Sequence, residues 1–255
     1  MPIKKTQLII LKRSRIQESS LYLICMTRDF GKMVMAAKGA VRTGSALAEA
    51  LQYFVVADVV FYHYEKKAID YISKAEIAEH FDQIAGDEKK FGFASAALEF
   101  VNLFLPEQEA NQQIYFTLKK TLRVIDKSTD KDFHRELLHF WYLLCIFSGY
   151  APELGQCGKC GAPIKDDALM FDPERGAAVC RKCVGDRLTI RLDAGTVKVL
   201  DRLARTDISD HRKITVTAAQ LDQIRSMLGA LTEYHLGKRV DLKSFAFLRK
   251  LDLIP

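Results

Sequence analysis

Apolar and polar residues alternate in short runs over the first eighty or so positions. Runs at 6–11, 19–27, 32–37, 52–62 and 70–77 are rich in β-branched and aromatic residues and read as strands. Asp29, Phe30 and Gly31, and then Glu65, Lys66 and Lys67, supply turn candidates between them. Five strands in so short a stretch predict a small barrel. The segment 43–51, with Ala46, Leu47, Ala48 and Ala50, reads as a short helix or a loop between the third and fourth strands. An oligonucleotide/oligosaccharide-binding (OB) barrel accommodates that order, and on pattern alone an SH3-like barrel stays open. From Asp87 the period becomes helical: Phe93, Ala97, Phe100, Val101 and Phe104 recur at three- and four-residue spacing until Pro106. Ile114, Leu118, Leu122 and Ile125 mark a second helix. A third starts at Asp132 and carries Leu137, Leu138, Trp141, Leu144, Cys145 and Phe147 up to Gly149. Aromatics at this spacing predict core rather than a stacking surface. Positions 194–204 and 218–236 read as further helices, the latter with Thr217 as N-cap.

Composition agrees with a folded chain: 49% hydrophobic against 27% charged, with 14 Gly and 6 Pro in 255 residues, excludes a disordered class. The longest apolar run, 140–147, is too short to span a bilayer. The first residues lack the features of a secretory signal, which predicts a cytoplasmic protein without a membrane partner. Net charge is +6 and unevenly spread. Residues 1–45 hold nine bases against two acids, residues 46–150 eleven against sixteen, and residues 151–255 eighteen against fourteen. The N-terminal segment is thus the electrostatic candidate for a phosphate backbone, with a solvated basic face as the alternative.

Four of the six cysteines form two close pairs, Cys157/Cys160 and Cys180/Cys183, as C-x2-C-x19-C-x2-C. Each two-residue gap lets one tight turn present two thiolates to a single ion, and two such knuckles complete a tetrahedral site. Four protein ligands leave no open position for water, so the expected zinc is structural. Lys159, Arg181 and Lys182 favour the thiolate forms. A redox pair and an iron–sulfur cluster remain alternatives on spacing alone. Cys25 and Cys145 sit in apolar runs and read as small buried hydrophobes. The histidines at 63, 80, 134, 139, 211 and 235 form no HExxH or HxE arrangement, and Asp166 with Asp167 reads as a solvated turn. No phosphate loop, dinucleotide fingerprint or nucleophile elbow is present, so a non-enzymatic protein is expected. The fold class is therefore α+β: a five-stranded OB-type β-barrel over 1–80, then an all-α helical domain in two parts, 81–154 and 191–255, with a four-cysteine zinc knuckle inserted at 155–190.

Gly149, Tyr150, Ala151, Pro152, Glu153 and Leu154, followed by Cys157-x2-Cys160, Phe171-Asp172, Gly176 and Cys180-x2-Cys183, resemble the central signature of the RecO family of recombination mediators. The resemblance extends to His235–Lys238 and to the segment 244–248, and so covers nearly the whole chain. It implies a nucleoid-associated DNA repair protein that binds single- and double-stranded DNA and anneals complementary strands. With RecR, it would help load RecA on strands coated by single-strand-binding protein. One departure is that the loop after the third strand, with Lys38 and Arg42, is less basic than the family pattern.

An OB barrel binds a strand with cations along a groove and aromatic faces for the bases. Lys12, Arg13 and Arg15 in the first inter-strand connection, and Lys32, Lys38 and Arg42 around the third strand, are the expected phosphate contacts, with Phe30 as the stacking residue. Phe30 folded back on the barrel is the alternative. Lys119, Lys120, Arg123 and Lys127 along one helix, continued by Lys131 and Arg135, form a candidate dock for the acidic tail of single-strand-binding protein, or else a solvated face. Two other functions stay open at this point: a zinc-ribbon transcription or RNA-associated factor, and an interaction scaffold that binds no nucleic acid.

Overall fold

A computed structural model describes residues 2–16, 18–42, 44–64, 69–129, 133–164, 168–185 and 188–254, the His211 side chain excepted. Thr43, the turn candidates Glu65 to Lys67, Lys131, Asp132, Asp166 and Asp167 lie outside them. The elements are β1 (Ile3–Ile16), β2 (Ser20–Thr27), β3 (Gly31–Ala37), α1 (Ala46–Ala50), β4 (Val55–Tyr62), β5 (Asp70–His80), α2 (Asp82–Ala85), α3 (Glu88–Phe104) and α4 (Gln112–Lys127). There follow α5 (His134–Phe147), β6 (Ala168–Asp172), β7 (Ala177–Val179), β8 (Ile190–Asp193), α6 (Ala194–Arg205), a 3-10 turn (Ile208–Lys213), α7 (Ala218–Leu236) and α8 (Lys243–Lys250). The chain divides into two compact units. The first joins Met1–Lys131 to Leu242–Pro255, and the second, Asp132–Asp241, is inserted into it in sequence.

In the first unit the five strands close a barrel in the order β1-β2-β3-β5-β4. Neighbours are antiparallel except β3 and β5, which run parallel where Met35 and Ala36 meet Asp70 and Tyr71. Alternate residues fill the interior, among them Leu8, Ile10, Leu23, Cys25, Met35, Val59, Phe61 and Ile72. Strict alternation would leave Ile9 and Met26 facing water, yet both are fully buried because α3 packs on β1 and β2. This second buried layer explains the unbroken apolar run from Leu8 to Leu11. The segment read as helix or loop contains α1. At β1 the sequence reading needs correction: the strand does not stop at Leu11. Its register shifts between Ile10 and Lys12, and it then continues against β2 to Ile16. Lys12, Arg13 and Arg15 therefore stand on a strand, because a bulge absorbs the break in alternation that resembles a strand end.

Asp87 caps the N-terminus of α3, its carboxylate accepting from the Lys89 and Lys90 amides, and Phe93, Phe100 and Phe104 are buried along the helix. The chain beyond Pro106 returns to the barrel, where the Gln108 amide donates to the Lys32 carbonyl at 2.8 Å. α8, hidden in the sequence as a short mixed segment, packs on α3 at Gly92. In the second unit α5 buries Phe140 and Trp141, and the Trp141 indole donates to Thr232 Oγ1 at 3.0 Å. α7 begins with the capping box of Thr217 and Gln220 and ends at Gly237 in the left-handed region. β7, β6 and β8 form a small antiparallel sheet beside these helices.

Candidate metal centre and nucleic-acid interface

The cysteine site is built around the β6–β7 hairpin. The Cys157 amide donates to the Ala162 carbonyl and the Gly161 amide to the Cys157 carbonyl, both at 2.8 Å, which folds the first pair into a tight knuckle. Gly161 takes the positive φ of 71° that this turn requires. The Gly158 amide docks on the Ala178 carbonyl at 2.9 Å, and a Cβ at Gly158 would lie 2.7 Å from the Ala177 methyl. Cys180 follows β7 at once, and its carbonyl accepts from the Cys183 amide at 2.8 Å to make the second knuckle. The motif Gly149 to Leu154 has a physical role here. Gly149 turns the chain at the end of α5 with φ of 83°, and Glu153 then bonds to both Gly176 and Ala178, so the motif supports the hairpin.

All four Sγ atoms lie within 4.8 Å of one another, and Cys160 Sγ is 3.9 Å from Cys180 Sγ. Tetrahedral zinc with Zn–S bonds of ~2.3 Å needs sulfurs ~3.8 Å apart. The donor set fits a zinc ion, and the sulfurs are too far apart for disulfides. Backbone N–H groups of Cys180, Cys160 and Lys159 draw the Cys157 thiol down to about 6. Cys183 is pushed up to about 12, first because its S–H donates to the Cys180 and Cys160 sulfurs, which favours the thiol form. Four thiols this close cannot all ionise without a cation among them, which is the electrostatic setting of a metal site. Among the described residues this is the one cluster of His, Cys, Asp or Glu with metal-ligand spacing.

The register brings three of the N-terminal bases to one end of the barrel. Arg15 pairs with Leu21, which pairs with Ala37 immediately before Lys38. The Val41 amide donates to the Ser19 carbonyl at 3.2 Å and draws the loop holding Lys38 and Arg42 to the same end. Lys12, Arg15, Lys38 and Arg42 are exposed. Arg13 and Lys32 are engaged elsewhere. Arg13 Nη1 donates to Gln52 Oε1 at 2.8 Å, and its amide donates to the Tyr53 hydroxyl at 2.9 Å. Lys32 Nζ donates to the Asn102 carbonyl on α3 at 3.0 Å, and burial lowers its pKa. Phe30 is partly buried against the barrel core, its ring edge-on to Phe61 at 5.5 Å with Lys4 Nζ 4.9 Å from its centroid. The folded-back alternative describes this ring.

The helical basic patch is also partly consumed. Arg123 makes a two-pronged pair with Glu79 on β5, both bonds at 2.8 Å, and Lys119 reaches the same carboxylate at 3.2 Å. Lys120 and Lys127 complete the α4 group, and Arg135 on α5 lies 3.6 Å from Glu136. Reversing the charge at Arg123 would therefore break a helix-to-barrel tie, so it cannot probe a docking surface cleanly. Neither Glu79 nor Gln52 and Tyr53 stood out in the sequence, since their partners are some forty residues distant. Hydrogen bonds from Arg123 hold the Glu79 carboxyl below its ordinary value. Its stabilising contribution is present above the unfolded carboxylate pKa of ~4.3 and is lost as pH falls through the lower folded value. The stability gap between wild type and Glu79→Gln, measured by urea unfolding, is expected to hold from pH 7 to 5 and to shrink toward pH 3; a constant gap contradicts the tie.

No helix among the described residues is long and apolar enough to cross a membrane. Residues 1–81 match the family described as recombination protein O N terminal, and residues 86–244 match recombination protein O C terminal. The chain is 30% identical over 254 residues to the DNA repair protein RecO of Caldanaerobacter subterraneus subsp. tengcongensis, spanning 98% of this chain and 99% of that protein. It is 29% identical over 252 residues to the RecO of Desulforamulus reducens, with 98% and 96% covered, and 27% identical over 248 residues to that of Alkaliphilus metalliredigens, with 97% and 99% covered. A barrel followed by helices and a four-cysteine site, matched in order by both family domains, makes this chain a member of the RecO family of DNA repair proteins.

Proposed function

We propose that the chain is a non-enzymatic recombination mediator: it binds single- and double-stranded DNA, anneals complementary strands, and acts with RecR to load RecA on strands covered by single-strand-binding protein. The observation that carries the reading is the convergence of exposed Arg15, Lys38 and Arg42 at one end of a closed OB-type barrel in a chain of this family. Two strands that are each neutralised by such a surface meet with less phosphate repulsion, which lowers the barrier to pairing without nucleotide hydrolysis. The zinc is structural, holding the hairpin that the central motif supports. Action on chromosomal DNA places the protein in the cytoplasm at the nucleoid. Exposed Lys127, at the end of α4, is the member of that patch offered to an acidic tail of single-strand-binding protein, since Lys119 and Arg123 hold Glu79.

The test is annealing of complementary strands coated with single-strand-binding protein. Wild type accelerates it; a chain that binds DNA but leaves the coated strands apart is not a mediator. The triple substitution Arg15→Ala, Lys38→Ala and Arg42→Ala is expected to weaken strand binding alike on all sequences. It should lower the slope of log affinity against log salt by roughly 0.7 for each phosphate left without its cation. An unchanged slope moves the phosphate-binding surface away from this end of the barrel.

A further inference from the structure

Pairing across the barrel aligns three tyrosines. Tyr22 on β2 pairs with Ala36 on β3, Ala36 with Tyr71 on β5, and Tyr71 with Tyr62 on β4. Directly opposed residues share a face of the sheet. That face is the outer one, because the flanking residues Leu21, Leu23, Ala37, Phe61 and Ile72 belong to the barrel interior. Elsewhere on this exterior α3 covers β1 and β2, burying Ile9 and Met26. The tyrosine row is open: Tyr62 is 36% exposed, and Tyr22 and Tyr71 are partly exposed. Ala36 carries no side chain that would rise between Tyr22 and Tyr71. Tyr64 meets Tyr71 edge-on at 6.1 Å and braces its ring.

Cations flank the row. Lys38 Nζ lies 5.2 Å from the centroid of Tyr71, and Arg15 pairs with Leu21 beside Tyr22. Lys5 and Lys74 both pair with Val60, one outward position from Tyr62. Asp58 and Glu76, paired one further outward position along, mark where the basic surface ends. An apolar protein segment laid on the rings would leave these cations without counter-charges, whereas a nucleic-acid strand brings one phosphate with each base. Resting on the DNA-binding reading above, we propose that Tyr22, Tyr71 and Tyr62 are a stacking platform for the unpaired bases of a single strand. Base stacking is stronger than an exposed cation–π contact, so an incoming base takes the Tyr71 face and frees the Lys38 ammonium for a phosphate. Bases inside a duplex cannot reach the rings, so the platform selects single strands while the cations bind either form.

Fluorescence anisotropy with labelled oligothymidine, an abasic strand of equal length and a duplex tests this on the full chain. Wild type is expected to prefer oligothymidine to the abasic strand, a comparison that needs no substitution. Tyr22→Ala with Tyr71→Ala should lose about tenfold or more on oligothymidine, keep the salt slope, and bind the abasic strand and duplex as wild type does. Tyr71→Phe, which keeps the ring, should bind normally. Equal wild-type affinity for oligothymidine and the abasic strand overturns the platform, as does a double variant that binds oligothymidine undiminished or loses equally on all three probes. Wild type that binds none of them overturns the DNA-binding reading itself, and the platform with it.

Discussion

Stripping the metal, or replacing Cys157 with serine, is expected to disorder the knuckles and the β6–β7 hairpin and to cost several kcal/mol of stability in the unit 132–241. The hairpin strands are five and three residues long and bury few large side chains, chiefly Leu169 and Phe171. So small a sheet does not hold itself together in water. Structural zinc contributes ~10–16 kcal/mol of apparent binding free energy in isolated finger peptides. That is comparable with the ~5–15 kcal/mol net stability of a whole domain. The α5–α7 helices have a core of their own around Trp141, Leu228 and Leu231, so part of the unit should survive the loss. Metal analysis of purified protein is expected to find one zinc per chain, and hydrogen exchange at amides 157–164 and 177–184 should accelerate sharply on chelation. Iron in place of zinc would overturn the identity of the ion; unchanged exchange protection after metal removal would overturn its structural role.

Gly31→Ala should be the most damaging small substitution in the barrel unit, at about 3 kcal/mol or more. Gly31 opens β3 with φ of 70°, where an added Cβ alone costs ~1–2 kcal/mol. A methyl there would also lie 2.0 Å from the Glu109 carbonyl oxygen, a backbone atom that cannot rotate aside. The close approach exists because the chain past Pro106 bonds to the Lys32 carbonyl along β3. Gly86→Ala is the control: its φ is −89° and an added methyl meets nothing within 4 Å. Urea unfolding should place Gly86→Ala within ~0.5 kcal/mol of wild type. A Gly31→Ala variant equally close to wild type would show that the 107–110 segment yields to the barrel rather than bracing it.

The two glycines illustrate how far a one-dimensional reading reaches. Gly31 is visible in the sequence as a turn residue next to Asp29 and Phe30, but the approach of Glu109 is not. The same division runs through the site. The C-x2-C spacing shows which sulfurs meet because each knuckle closes within a few residues, and Gly149 to Leu154 acts on a hairpin about twenty residues away. The bases near the N-terminus are legible as a charged segment. Which of them remain available is not: Arg13 is taken by Gln52 and Tyr53, and Lys32 by a carbonyl on α3. Lys119 and Arg123 share Glu79.

By itself, the sequence determined the α+β class, the five strands, the main helices and the four-cysteine site, because hydrophobic period and knuckle spacing are properties of neighbouring residues. Thr217 and Gln220 cap α7, and Pro106 lies just beyond α3, for the same local reason. Only the tertiary structure decided that β1 runs through a bulge to Ile16, that Phe30 packs on Phe61, that α8 returns to α3, and that Tyr22, Tyr71 and Tyr62 fall into one row. Each of these depends on strand register or on a partner distant along the chain. Closing the barrel sets all of those distances at once, and no local pattern of residues encodes them.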